Sequence, residues 1–185
     1  TSVPVGEERR LHCFFLLARS GSMRAVASAV VQGFNDYVQQ QQQQQEGTML
    51  LTLAQFDSIR PLDYVFEAQD IRAVKPLTPA QLRPRGTAAP LYDAVADVIS
   101  RAERLEQGKR SEVVVVVFSD GAEKASKDHS QQQVFQMVEA KRRAGWTFVF
   151  LGANQDSYAA GGSLAVSKGA VSNFRADARG VRAVY

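Results

Sequence analysis

The chain has 185 residues, 45% of them hydrophobic, and a net charge of +3; this is the make-up of a single globular domain, 1–185, with a well-buried core. The small positive excess forms no basic run or stripe and no apolar stretch is long enough to span a bilayer, so neither nucleic acid nor a membrane is expected as partner. One cysteine, Cys13, excludes an internal disulfide, and no charged, apolar leader is visible, so the expectation is a cytoplasmic protein with Cys13 as a small buried hydrophobe.

After a polar lead-in over 1–10, residues 11–17 (LHCFFLL) form an unbroken apolar run, which predicts a central parallel strand covered on both faces. The run stops in Ala18-Arg19-Ser20-Gly21-Ser22. Ser22 suits the N-cap of a helix from about Met23, whose buried face is Met23, Ala27, Val30, Val31, Phe34 and Val38. The glutamine tract 39–45 continues that helix, because glutamine is a fair helix former, and frays before Glu46-Gly47. Strands are predicted over 49–56 and 62–66. The connection between them is too short for a helical crossover, so they are antiparallel, with the second at the sheet edge. Residues 68–86 carry three prolines and read as loop, with one helical piece near 79–82. Pro90 opens a helix whose apolar face is Leu91, Val95, Val98, Ile99 and Ala102, closed by Gly108. Residues 113–118, five valines and a phenylalanine, form a central strand. Ser130 begins a further helix with Val134, Met137, Val138 and the stem of Lys141 on one side. Gly145 ends it, and a buried strand over 146–151 follows. Beyond lie a loop and short helix over 154–164, an edge strand over 170–174 and a terminal helix over 177–185. The sum is an α/β fold: a three-layer, doubly wound, mostly parallel six-stranded sheet with one antiparallel edge strand and right-handed crossovers.

In such a sheet the first strand and the 113–118 strand flank the point where strand order reverses, and their carboxyl ends open one crevice. Three strand-to-helix junctions send oxygens there: Ser20 and Ser22, Thr87 in Arg85-Gly86-Thr87, and Asp120 in Ser119-Asp120-Gly121. Hydroxyls and a carboxylate suit a hard cation such as Mg²⁺, not zinc. Taken singly, Ser-Gly-Ser reads as a cap and Asp-Gly as a turn; together they read as a site. His12 lies within a strand and His129 before a helix, neither beside a Ser or Cys in a nucleophile-elbow pattern. No phosphate-cradling or dinucleotide glycine motif occurs. Asp57 and Asp63 read as turn residues, and Asp156 as a helix cap.

These motifs resemble the von Willebrand factor type A (VWA) domain, in its bacterial subgroup, over nearly the whole chain. That family carries a metal-ion-dependent adhesion site with the pattern Asp-x-Ser-x-Ser, a distant Thr and an Asp before Gly. The matching residues are Ser20, Ser22, Thr87 and Asp120, with Leu91-Tyr92-Asp93-Ala94 and the stretch 148–156 (FVFLGANQD) also similar. The resemblance implies a Rossmann-like sheet with the site on top. Ala18 stands where the family has its first Asp, so one carboxylate, Asp120, remains to neutralise a divalent ion. Weak or absent binding of Mg²⁺ or another divalent cation follows. Arg19 is expected to point to solvent.

The functional expectation is a non-catalytic protein-binding module whose partner docks through an acidic residue. The alternatives are a metal-dependent hydrolase or phosphotransfer enzyme using Asp120, for which a base is missing, and a structural domain with a decayed site.

Overall fold

The apolar run that opens the chain is buried because it forms the middle of the sheet, with hydrogen-bonded neighbours on both sides and helices over both faces. The computed structural model describes residues 10–25, 27–44, 47–59, 62–82, 84–86, 88–119, 126–152 and 171–173. Strand Arg10–Ala18 (β1) pairs in parallel with Thr48–Phe56 (β2) on one side and Glu112–Ser119 (β4) on the other. Asp63–Asp70 (β3) runs antiparallel on the outside of β2. Thr147–Gly152 (β5) and Val171–Asn173 (β6) extend the other side in parallel. The six-stranded order is β3-β2-β1-β4-β5-β6, and it reverses between β1 and β4, as expected.

Alternate residues of β1 face opposite layers. Phe15 meets helix Ala27–Gln44 (α1) through Phe34, edge-on at 5.3 Å, and Tyr37 at 5.3 Å. His12 meets helix Leu91–Glu106 (α2), beside which packs helix Gln131–Arg143 (α3). The predicted faces of all three helices are the buried ones. Ser130 caps α3 in a reciprocal box with Gln133, and Gly108 and Gly145 end α2 and α3 with positive φ. Lys141 holds its ammonium over the Trp146 ring, 5.1 Å from the centroid, and pairs with Glu103. Pro90 has no side chain to cap α2. Ser126, from the segment before α3, does so instead, its Oγ accepting the N–H groups of Tyr92 and Asp93.

Three boundaries differ from the sequence reading. A 3-10 turn, Gly21–Ala25, precedes α1, closed by the Met23 N–H on the Ser20 carbonyl, so the α-helix starts at Ala27 and not near Met23. The edge strand β3 runs on to Asp70, because its pairing with β2 continues to Leu50 through two register shifts and a positive φ at Ala68. A 3-10 helix, Ile71–Ala73, follows it, where a loop is predicted. Gln42 steadies that piece by donating to the carbonyls of Ile71 and Val74. The glutamine tract is helical to Gln44, as expected, and one of its members has a tertiary role. The helical piece near 79–82 is a turn closed by Gln81. The segments predicted over 154–164 and 177–185, with Asp156, lie outside the described residues.

A polar knot lies beneath α2. His12 Nδ1 lies 2.5 Å from Glu106 Oε1, and its Nε2 lies 2.8 Å from Thr52 Oγ1. The Glu106 carboxylate can only accept, so the proton of the neutral imidazole sits on Nδ1, Nε2 accepts the Thr52 hydroxyl proton, and Thr52 Oγ1 in turn accepts the Ala68 N–H. Burial holds the imidazole below its ordinary value of 6.5, against the upward pull of Glu106. Burial pushes the Glu106 carboxyl upward, but the hydrogen bonds of His12 and Ser111 bring it below its ordinary value. As pH falls below about 6.5, the unfolded chain takes up a proton that folded His12 resists, so stability drops toward the folded value; Glu106 adds its own loss only at lower pH. The melting temperature is therefore expected to fall between pH 7.5 and 5, and His12→Gln to flatten that slope. A wild-type curve that is flat in this window would refute it.

Candidate functional site

Past the end of β1 the backbone is laced to two other loops. The Arg19 N–H donates to the Phe56 carbonyl at 2.8 Å, tying it to the end of β2. The Arg19 carbonyl accepts the Arg85 N–H at 2.6 Å, and the Gly21 N–H donates to the Gly86 carbonyl at 3.2 Å. Gly86 has φ +73°, and a Cβ there would run into the Ser58 hydroxyl, so the 84–86 segment also sits tight against the loop after β2. Leu17 registers with Phe118, which brings the ends of β1 and β4 side by side.

Of the residues singled out from sequence, Ala18 is fully buried at the end of β1 and Ser20 is buried just beyond it. Ser22 has its backbone in the 3-10 turn, and its side chain lies outside the described set. Thr87 and Asp120 lie outside the described residues. The residues preceding them do not: Gly86 is bonded to Gly21, and Ser119 ends β4.

Arg19 corrects the sequence reading. It does not point to solvent but is 7% exposed, folded over the end of β2. Its Nη1 donates to Gln55 Oε1 at 2.7 Å and to Asp63 Oδ2 at 3.3 Å. Its Nη2 lies 3.0 Å from Asp57 Oδ2, near enough for an ion pair but without hydrogen-bond alignment. Arg85 Nε donates to the same Asp57 oxygen at 2.8 Å. Asp57 is fully buried between the two guanidiniums, and its other oxygen accepts the Ile59 N–H at 2.7 Å. It is a turn residue, as read from sequence, and also the counter-ion at the centre of the three loops. Among the described residues, Arg19 Nε and Arg85 Nη2 are buried with no acceptor. The available sequence signal was polar residues, Gln55 and Asp57, closing a strand otherwise buried and apolar.

The described part of the donor set fits a divalent cation poorly. A methyl group occupies the position where a carboxylate is expected, and the side chain next to it is a buried guanidinium. Away from this cluster, Asp93 accepts the N–H groups of Lys127, Asp128 and His129 and faces His129 Nδ1 at 3.1 Å. Burial raises the Asp93 carboxyl, but these bonds bring it below its ordinary value. The carboxylate thus positions the chain ahead of α3, and His129 is spent on that contact. A cavity of about 580 Å³ lies at the opposite end of the strands, lined by Glu106, Lys109, Ser111 and Trp146 among others.

No family model matches the sequence, and no curated protein matches it. Solved structures do. A von Willebrand factor type A protein from Catenulispora acidiphila superposes with a TM-score of 0.60 at 12% identity, over 94% of this chain and 40% of that one. The fold is that of a von Willebrand factor type A domain. Manganese-loaded TRAP protein from Plasmodium vivax shares the VWA fold at TM-score 0.66 and 13% identity, over 96% of this chain and 72% of that one. The pilus adhesin SpaC from Lactobacillus rhamnosus GG gives 0.71 and 12%, over 95% and 29%. The chain spans less than half the length of the first solved chains it matches.

Proposed function

We propose that this VWA-like chain is a non-catalytic protein-binding module that docks an acidic residue of its partner on the loops beyond β1 and β4, with metal binding weakened or lost. The observation that carries this reading is the cluster that buried Arg19 and Asp57 form with half-buried Arg85 beside Ala18. In it guanidiniums and one carboxylate cross-link the three loops, work that a bridging ion would otherwise share. Among the described residues, Arg19 Nε, Arg19 Nη2 and Arg85 Nη2 are buried without a hydrogen-bond acceptor, so the cluster has donors left for an anion and offers a cation only carboxylates already paired with arginine. The fold supports the reading too, since a pilus adhesin is built on it. No member of the cluster supplies a general base beside a nucleophile, which favours binding over hydrolysis.

Two measurements test this. Titrated with Mg²⁺ in a calorimeter, the wild-type chain is expected to give no heat, whereas Ala18→Asp restores binding. The same variant is expected to be less stable in chelator, since a buried carboxylate would then stand without a counter-ion, and to regain stability with Mg²⁺. Partner capture by the wild-type chain is expected to be equal in Mg²⁺ and in chelator and to be lost in Ser20→Ala. Tight Mg²⁺ binding by the wild type would overturn the metal-free reading. A silent Ala18→Asp would mean that the oxygens do not converge.

A further inference from the structure

The cavity of about 580 Å³ at the foot of the sheet lies at the end opposite the docking loops, and its volume is that of a small-molecule pocket. It opens between the last turns of α2 and α3 and the first residues of β4 and β5. Its walls carry charges of both signs, and these are unequally matched. Lys141 and Glu103 pair with each other. Two exposed cations have no carboxylate partner among the described residues: Lys109 donates to the neutral Leu105 carbonyl, and Arg104 forms no ion pair.

Glu106, on the same wall, has the opposite need. Its side chain is 6% exposed, and Oε1 is taken by His12 Nδ1. Oε2 is buried and receives no aligned hydrogen bond from a described residue. Arg10 Nε stands 3.6 Å away, but its proton goes to Ser111 Oγ at 2.9 Å. A buried carboxylate oxygen without a donor is costly, so a donor entering the cavity would be held there. Val113, Ala144 and Trp146 add apolar wall. An anion alone would suit Arg104 and Lys109 but leave Oε2 without its donor. A cation alone would answer Oε2 but meet the unpaired Arg104 and Lys109. A small molecule that carries both charges side by side satisfies both.

We infer that this cavity binds a free α-amino acid with an apolar side chain. The ammonium donates to Glu106 Oε2, Lys109 and Arg104 hold the carboxylate, and the side chain lies along Val113 and Ala144. Oε2 is covered as the Glu106 side chain stands, and a change of rotamer brings it to the ligand. The site is separate from the loops beyond β1 and β4 and does not depend on the docking reading.

The test titrates the whole chain in a calorimeter with leucine, with isocaproate, which is leucine without its ammonium, and with isoamylamine, which is leucine without its carboxylate. Leucine is expected to bind, and each analogue to bind at least about tenfold more weakly. Lys109→Met combined with Arg104→Met changes only exposed side chains, so the double variant is expected to melt as the wild type does and to bind leucine no better than isoamylamine. Glu106→Gln keeps an oxygen for His12 and is expected to bind leucine no better than isocaproate. Silence toward leucine, analogues that bind as well as leucine, or a double variant with wild-type affinity overturns the site. Capture of a protein partner by the loops at the other end is unaffected by any of these outcomes, so failure here leaves the docking reading standing.

Discussion

Asp57→Ala is expected to lower stability by about 3–5 kcal/mol, because it leaves a buried guanidinium without its main counter-ion. Arg19 is 7% exposed, and without Asp57 it keeps, among the described residues, the amide oxygen of Gln55 and the more distant, partly exposed Asp63. Arg85 loses the acceptor of its Nε at the same time, and Ile59 loses the acceptor of its N–H. For a chain of this length, each kcal/mol moves the melting temperature by roughly 2–4 °C, so a fall of roughly 6–20 °C is expected by circular dichroism at pH 7. Asp57→Asn keeps an oxygen for the hydrogen bonds but no charge, and is expected to fall between the two. A drop in Asp57→Ala of less than about 2 °C would mean that the cluster is not what holds the loops. The same variant is expected to weaken carboxylate-dependent binding, since the loops after β1 and β2 would lose the carboxylate that ties them to the 84–86 segment.

The second large effect lies beneath the site. Phe15→Ala is expected to cost about 3–5 kcal/mol, the loss of a buried aromatic side chain plus the cavity it leaves. Phe15 is buried where the sheet reverses its order, edge-on to Phe34, tilted on Tyr37 and stacked at 6.4 Å on Phe118 of β4. It therefore joins α1 to the two strands whose ends carry the candidate site. Unfolding by urea should show the denaturation midpoint shifted with its slope unchanged. Phe135→Ala, on the exposed side of α3, serves as the control and is expected to stay within about 0.5 kcal/mol. Equal costs at the two positions would refute the assignment of Phe15 to the centre of the core.

The sequence by itself determined the sheet and its helices. Continuous apolar runs such as Leu11–Leu17 and Val113–Phe118 belong only in the middle of a doubly covered sheet. The short connection between β2 and β3 forced them antiparallel, and Ser130 marked the start of its helix, where the structure adds Gln133 to complete the cap. These signals are local, carried by spacing, propensity and loop length. The tertiary structure alone decided what happens to the polar residues set among them. An arginine after a strand, read locally, belongs in water. Arg19 is buried because Gln55, Asp57 and Asp63, distant in sequence, neutralise and bind it. His12 is held by Thr52 and Glu106, 40 and 94 residues away, and Ser126 caps a helix that begins long before it. A charged or polar group takes its place from the partners that surround it, and those partners come together only once the chain has folded.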